Sequence, residues 1–309
     1  MKKLSMLILL MLFTLTVGCS KNDKLNNINA NILNERPYDV AMKQDLLCLM
    51  MAYPDHAVNV EKSSDGKVYL VMKSGNKILY DDKKQKSFNE KLQNPDLQDM
   101  MEQVYPLDNL NKLMDENFDP GRFRVYPLLK EVYGGTKEQV QKNLVNVNIG
   151  VQFNKNNGAA EALNSVMKEL IPLAQRRKDV ASCVFPSSGT FNYRVISGTN
   201  QLSPHAFGIA IDLARDKRDY WKWASREQGE ERIKSYPPEI PKIFEKYGFV
   251  WGGKWGHFDT LHFEYRPEII LKARYFSDRY DINKPWYGDL PVESLDSQRY
   301  IEIIDNIFD

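Results

Sequence analysis

Three of the four histidines in this 309-residue chain, His205, His257 and His262, fall within 58 positions of one another, and two of them stand beside carboxylates. His205 and Asp212 lie in SPHAFGIAIDLA, residues 203 to 214, and His262 precedes Glu264 in DTLHFEY, residues 259 to 265. An ionised carboxylate in so apolar a run needs a partner, because leaving it unpaired would force its neutralisation. A metal ion is one such partner. Two imidazoles and one carboxylate, with a fourth position left for water, are the donor set of a catalytic zinc site.

The elements that must position these groups follow from alternation. In a strand from Gly208 to Ala214, Ile209, Ile211 and Leu213 face one side, while Gly208, Ala210, Asp212 and Ala214 face the other. The large aliphatics belong to a core, and the opposite face gives one carboxylate room among small residues. His205 stands an odd number of positions before Asp212, so it must swing over from the preceding loop. Pro204 and Gly208 permit that bend, one by fixing φ and the other by allowing positive φ. LHFEY alternates as a second strand, with His262 and Glu264 on one face and Phe263 and Tyr265 on the other.

Upstream, apolar spacing predicts a helix from Val40 to Tyr53, and KVYLVMKSGNKILYDD predicts a hairpin around SGN. The charged stretch from Lys83 to Lys91 reads as a solvated loop. DPGRFRVYPLLKEVYGG gives a turn and then a helix ended by glycines, and Gly158 to Leu173 gives an amphipathic helix. SLDSQRYIEIIDNIF near the end predicts a helix packed on the domain. No internal repeat is visible.

Lys and Arg number 42 against 41 Asp and Glu, a balance that excludes a nucleic-acid-binding surface as the main function. MKKLSMLILLMLFTLTVGCS opens with two lysines and an apolar run from Leu4 to Val17, shorter than the roughly 20 residues of a spanning helix. It reads as a secretory signal peptide over residues 1–18. TVGC resembles a bacterial lipobox, which implies lipidation of Cys19 and a membrane anchor. Residues 19–38, rich in asparagine, read as a tether. Cys48 and Cys183 remain, either paired with each other or as two separate buried thiols, and the surroundings of Cys183 match no cysteine-protease signature.

SPHAFGIAIDL resembles the S-x-H-x-x-G-x-A-x-D motif of bacterial cell-wall zinc peptidases, and DTLHFE resembles their second motif. This family comprises VanY-type D-alanyl-D-alanine carboxypeptidases and L-alanyl-D-glutamate endopeptidases. The resemblance implies an α+β, Hedgehog/DD-peptidase-like fold, a small antiparallel sheet flanked by helices, over residues 150–280. An N-terminal α/β extension (39–149) precedes it, and a C-terminal tail (281–309) follows. It further implies that His205, Asp212 and His262 bind Zn2+ and that Asp259 is the catalytic base, with Glu264 as its competitor. Arg194 would pair a substrate carboxylate or stabilise the oxyanion, a structural salt bridge being the alternative. Ser203, Trp255 and His257 would contact substrate, although Ser203 also suits a turn cap and His257 equally suits a supporting role behind the site or a plain surface position; Trp251 and Trp255 either floor the groove or simply pack. His56, far from both motifs, reads as structural. The implied substrate is the stem peptide of peptidoglycan, acted on by a monomer tethered to a membrane and facing the wall. D-Ala-D-Ala carboxypeptidase is the first reading. L-Ala-D-Glu endopeptidase is the alternative, to which Asp259 in place of glutamate and the run WGGKW incline, and a non-catalytic wall-binding lipoprotein is the third.

Overall fold

A computed structural model describes residues 36–276 and 280–308, so the apolar leader, Cys19 and most of the tether lie outside the described residues. Helix α1 (Tyr38–Ala52) is apolar on every side in its middle, where Leu46, Leu47, Cys48, Leu49 and Met50 are all fully buried. A helix of that kind belongs at the centre of a fold. Three antiparallel strands follow, β1 (Ala57–Lys62), β2 (Val68–Met72) and β3 (Lys77–Leu79). Strands β2 and β3 form the hairpin that SGN predicts, pairing Tyr69 with Leu79 and Val71 with Lys77.

The stretch from Lys83 to Lys91 departs from a solvated loop. Ser87 caps α2 (Phe88–Gln93) through a reciprocal box with Glu90, and α3 (Leu97–Met101) comes next. Lys86 is drawn inward by three carboxylates, Asp82 at 3.2 Å, Asp96 at 2.9 Å and Asp99 at 2.6 Å. A run of like residues in sequence hides such pairing, because its partners arrive only when the chain folds back.

Helix α4 (Tyr126–Tyr133) has Pro127 in its first turn and stops at Gly134, where φ is 116°. Then come α5 (Lys137–Lys142), the two-stranded β4 (Leu144–Asn146) and β5 (Gln152–Asn154), α6 (Ala159–Arg176) and α7 (Lys178–Val184). Leu163, Val166, Met167 and Leu170 make the buried stripe of α6. Strand β6 (Ala210–Asp212), helices α8 (Arg226–Ser235) and α9 (Glu239–Lys246), and strands β7 (Phe249–Trp251) and β8 (His262–Tyr265) complete the site-bearing region. Its sheet runs β6-β8-β7, all antiparallel. Helix α10 (Pro267–Tyr275) packs on α1, and α11 (Leu295–Phe308) lies over α1 and β1 with Ile304 fully buried.

The architecture is α+β, helices around small antiparallel sheets. One hydrophobic core runs unbroken from Met42 to Ile304, so the residues before 150 and those after it bury a shared interior. Cys48 in α1 and Cys183 in α7 are separate buried thiols. Among the described residues no helix is long and apolar enough to cross a membrane.

The early chain crosses the run WGGKWGHFD at Gly256, whose N–H donates to the Phe118 carbonyl at 2.7 Å. A Cβ at Gly256 would lie 1.9 Å from the Asp115 carbonyl oxygen, a backbone atom that cannot step aside. Gly256→Ala is therefore expected to cost about 1–3 kcal/mol of stability. Calorimetric melting checks this, and an unchanged midpoint would mean that the crossing relaxes freely.

Candidate active site

Register places the first pair of chemical groups. Asp212 on β6 is paired directly with His262 on β8, and the His262 Nδ1 to Asp212 Oδ1 distance is 2.9 Å. His205 reaches them from the single 3-10 turn Pro204–Phe207, which Ser203 caps by accepting from the His205 N–H at 3.4 Å. Gly208 ends that turn with a φ of 68° and sends the chain into β6. The bend inferred from Pro204 and Gly208 thus brings His205 Nε2 to 3.2 Å from Asp212 Oδ1 and 3.3 Å from His262 Nδ1.

Each imidazole turns its outward nitrogen to a polar oxygen. The Thr190 carbonyl accepts from His205 Nδ1 at 2.5 Å, which leaves Nε2 as the lone-pair nitrogen. His262 Nε2 faces the Glu264 carboxylate at 3.7 Å, leaving Nδ1 pointed inward. Two lone pairs and an anionic oxygen converging without a cation repel one another. Three donor atoms 2.9–3.3 Å apart also match the edges of a tetrahedron around an ion with nitrogen bonds of about 2.0–2.1 Å. The group therefore fits a divalent metal of the zinc type. Burial disfavours the His262 imidazolium, yet the Asp212 and Glu264 carboxylates outweigh that and push its pKa up to about 10. Burial likewise opposes ionised Asp212, but its close pairing with the His205 and His262 rings holds it well below the usual carboxylate range.

Glu264, read from sequence as a competing base, is occupied elsewhere. It is fully buried and grips Arg124 in bidentate fashion, Nε to Oε1 at 2.9 Å and Nη2 to Oε2 at 2.6 Å. Although burial opposes its ionisation, the Arg124 charge keeps it far below its ordinary pKa. The small residues opposite the aliphatic face now have a purpose, since Ala210 pairs across from Glu264 and leaves it room. A carboxylate so held cannot approach a substrate. It orients His262 instead.

Asp259 precedes β8 and has no such partner among the described residues. Its backbone N–H donates to Gly252 O at 2.9 Å, and its carboxylate lines a cavity of about 440 Å³ together with His205, Asp212 and His262. Burial foremost, with repulsion from Asp212 and Asp219, pushes Asp259 up to about 7 against the pull of His262 and Arg122. A carboxyl poised there can both accept and release a proton near neutrality. The next residue, Thr260, is locked by Asp219, which also accepts from Arg232 Nε at 2.7 Å.

Residues 197–265 match the family model described as D-alanyl-D-alanine carboxypeptidase. The matched region contains His205, Asp212, Asp259 and His262. No curated protein and no solved structure matches the chain. Within the matched region, Ser203, Trp255 and His257 all line the cavity, as does Arg194 just before it. Arg194 is exposed, and no side-chain ion pair holds it among the described residues, which removes a structural salt bridge as its reason for being there. Trp255 donates from Nε1 to Pro120 O at 2.7 Å, and its ring centre lies 5.7 Å from that of His262. Trp251 is no groove floor. Its register partner is Phe263, on the sheet face away from His262, and it stacks there on Phe263 and Tyr236.

The family match stops short of residues on which its own site leans. Arg124 supports Glu264, and fully buried Asp119 accepts from both the backbone N–H of His257 at 3.0 Å and its Nδ1 at 2.7 Å. Sequence reading passed over both. The available signal was RFR, residues 122 to 124, where two arginines flank a phenylalanine at strand spacing; Phe123 is buried and the arginines face the groove side.

Arg124→Ala would leave Glu264 as an uncompensated buried charge, so a loss of about 3–5 kcal/mol is expected. Since Glu264 is depressed in the folded state, its contribution is complete above its unfolded value of about 4.3 and fades as pH falls below it. Melting from pH 7 to 3 should show a smaller acid loss in Arg124→Ala than in the native chain. An identical slope would remove Arg124 as the cause.

Proposed function

We propose that the protein is a zinc metallopeptidase that hydrolyses peptidoglycan stem peptides as a D-alanyl-D-alanine carboxypeptidase, on a Hedgehog/DD-peptidase-like fold. The observation that carries this reading is the convergence of His205, Asp212 and His262 beside an unclaimed carboxylate, Asp259, within the carboxypeptidase-matched region. When bound by these three residues, zinc would supply a water of pKa about 7 and a polarised carbonyl. Asp259 takes the proton of the attacking water and returns it to the departing amine as the peptide C–N bond breaks. Its carboxylate lines the groove beside all three ligand residues, where it can serve both halves of that transfer. Arg194, on the wall of the same groove, pairs the substrate carboxylate with two parallel N–H donors.

The leader and the lipobox-like TVGC that ends at Cys19 support an exported, lipid-anchored protein facing the wall. The endopeptidase reading keeps one specific support, the shorter aspartate at position 259 after WGGKW. Muropeptide digestion followed by mass spectrometry separates the two, because only the carboxypeptidase releases free D-alanine from a pentapeptide. Cleavage between L-Ala and D-Glu instead would move the assignment to the second reading.

Elemental analysis should find one zinc per chain, lost on chelation and in His262→Ala. Asp259→Asn should keep its zinc and lose about 10²- to 10⁴-fold in turnover. A metal-loaded native chain that cleaves no stem peptide would leave only the wall-binding reading.

A further inference from the structure

The groove is cationic. Arg122, Arg124, Arg194, Arg215 and Lys222 line it, against Asp212 and Asp259. Arg124 is committed to Glu264. Arg215 lies over the Trp223 ring at 5.3 Å and Lys222 over Trp221 at 5.2 Å, so both sit on the aromatic rim. Arg194 and Arg122 remain near the chemistry, and they come from different parts of the chain. Arg194 belongs to the segment that leads into the His205 turn, its carbonyl accepting from the Ser203 N–H at 2.9 Å. Arg122 comes from before residue 150 and stands at the His257 end.

Arg122 is aimed. One of its terminal nitrogens donates to Asp119, the fully buried carboxylate that also holds His257. Its guanidinium lies 5.9 Å from the centre of the Trp255 ring, on the groove wall beside His262. No other side-chain bond is made by its remaining donors among the described residues, and the side chain is 20% exposed. A planar fork with one edge fixed and the other open to a groove is built for a carboxylate. Tyr220, paired across from Asp259, lines the same cavity as Arg122, Arg194 and Asp259, so both guanidiniums open onto the groove that holds the reaction centre.

We propose that Arg122 is a specificity-determining residue that binds a second carboxylate of the substrate, apart from the one Arg194 pairs, so that the groove selects peptides with two acidic groups near the scissile bond. This rests on the peptidase reading above.

The test uses a synthetic stem peptide and its counterpart with the internal carboxylate amidated. The full-length native chain should cleave the free-carboxylate peptide with a kcat/KM about ten- to hundredfold higher, the worth of one charge-assisted hydrogen-bond pair. Arg122→Gln should lose more on that peptide than on the amidated one and collapse the ratio towards one. Calorimetric titration of both peptides into Asp259→Asn, with and without Arg122→Gln, should give the same ratio in Kd. Should Arg122→Gln fail to fold, Arg122→Lys, which keeps the charge without the fork, should still reduce the ratio. Equal handling of both peptides by the native chain overturns the proposal, as does a preference that survives Arg122→Gln, or an equal loss on both peptides. Failure of the native chain to cleave or bind either peptide overturns the peptidase reading as well.

Discussion

The arrangement depends on one buried carboxylate. Glu264 lies on β8 between Ala210 and Val250 in its neighbouring strands, with no exposure to water. An anion there must be met by a cation, and its own sheet offers only His262, at 3.7 Å. Arg124 supplies one, from 140 positions earlier, and Arg266 adds a more distant contact at 3.5 Å. The polar chain continues inward, with Arg266 bonded to Glu268 at 2.6 Å and Glu268 to the Tyr53 hydroxyl at 2.7 Å. Such pairs add little net stability, since desolvation consumes most of their attraction. What they fix is position. Glu264 faces His262, so the orientation of an inward-pointing nitrogen is settled by residues from α1 onward.

The triad is then a matter of register and two carbonyl-scale constraints. Pairing Asp212 with His262 brings their donors together, whereas a one-residue slip would set a phenylalanine in place of the histidine. The Thr190 carbonyl selects the tautomer of His205 from outside. Each donor is thus turned inward before any ion arrives, which is how preorganised metal sites hold their ligands. Asp259, left without a partner, is the group free to move protons.

What was legible in the sequence was everything carried by local period. Alternation placed Ile209, Ile211 and Leu213 in the core, and the odd spacing to His205 required the bend that Pro204 and Gly208 make. The central helix and the hairpin could be read for the same reason. What could not be read were pairings between distant charges. Arg124, Asp119 and Lys86 look like ordinary polar residues in sequence, because their partners are fixed by the fold and not by spacing. Trp251 was misplaced since composition marks an aromatic but not which face of a three-residue strand it takes. Gly256 belongs with these, for its lack of a side chain matters only where another stretch of backbone passes over it.

The crossing at Gly256 and the Arg124 grip have a kinetic consequence. Contacts that join residues about 140 apart close very long loops, and their entropy must be met before any reward is gained. Helices such as α1 and α6 form from local contacts and come early. The groove, by contrast, assembles only when the two ends of that loop meet. In refolding, recovery of helical signal should therefore run ahead of recovery of the site, and a chain can regain most of its secondary structure while still unable to present His262.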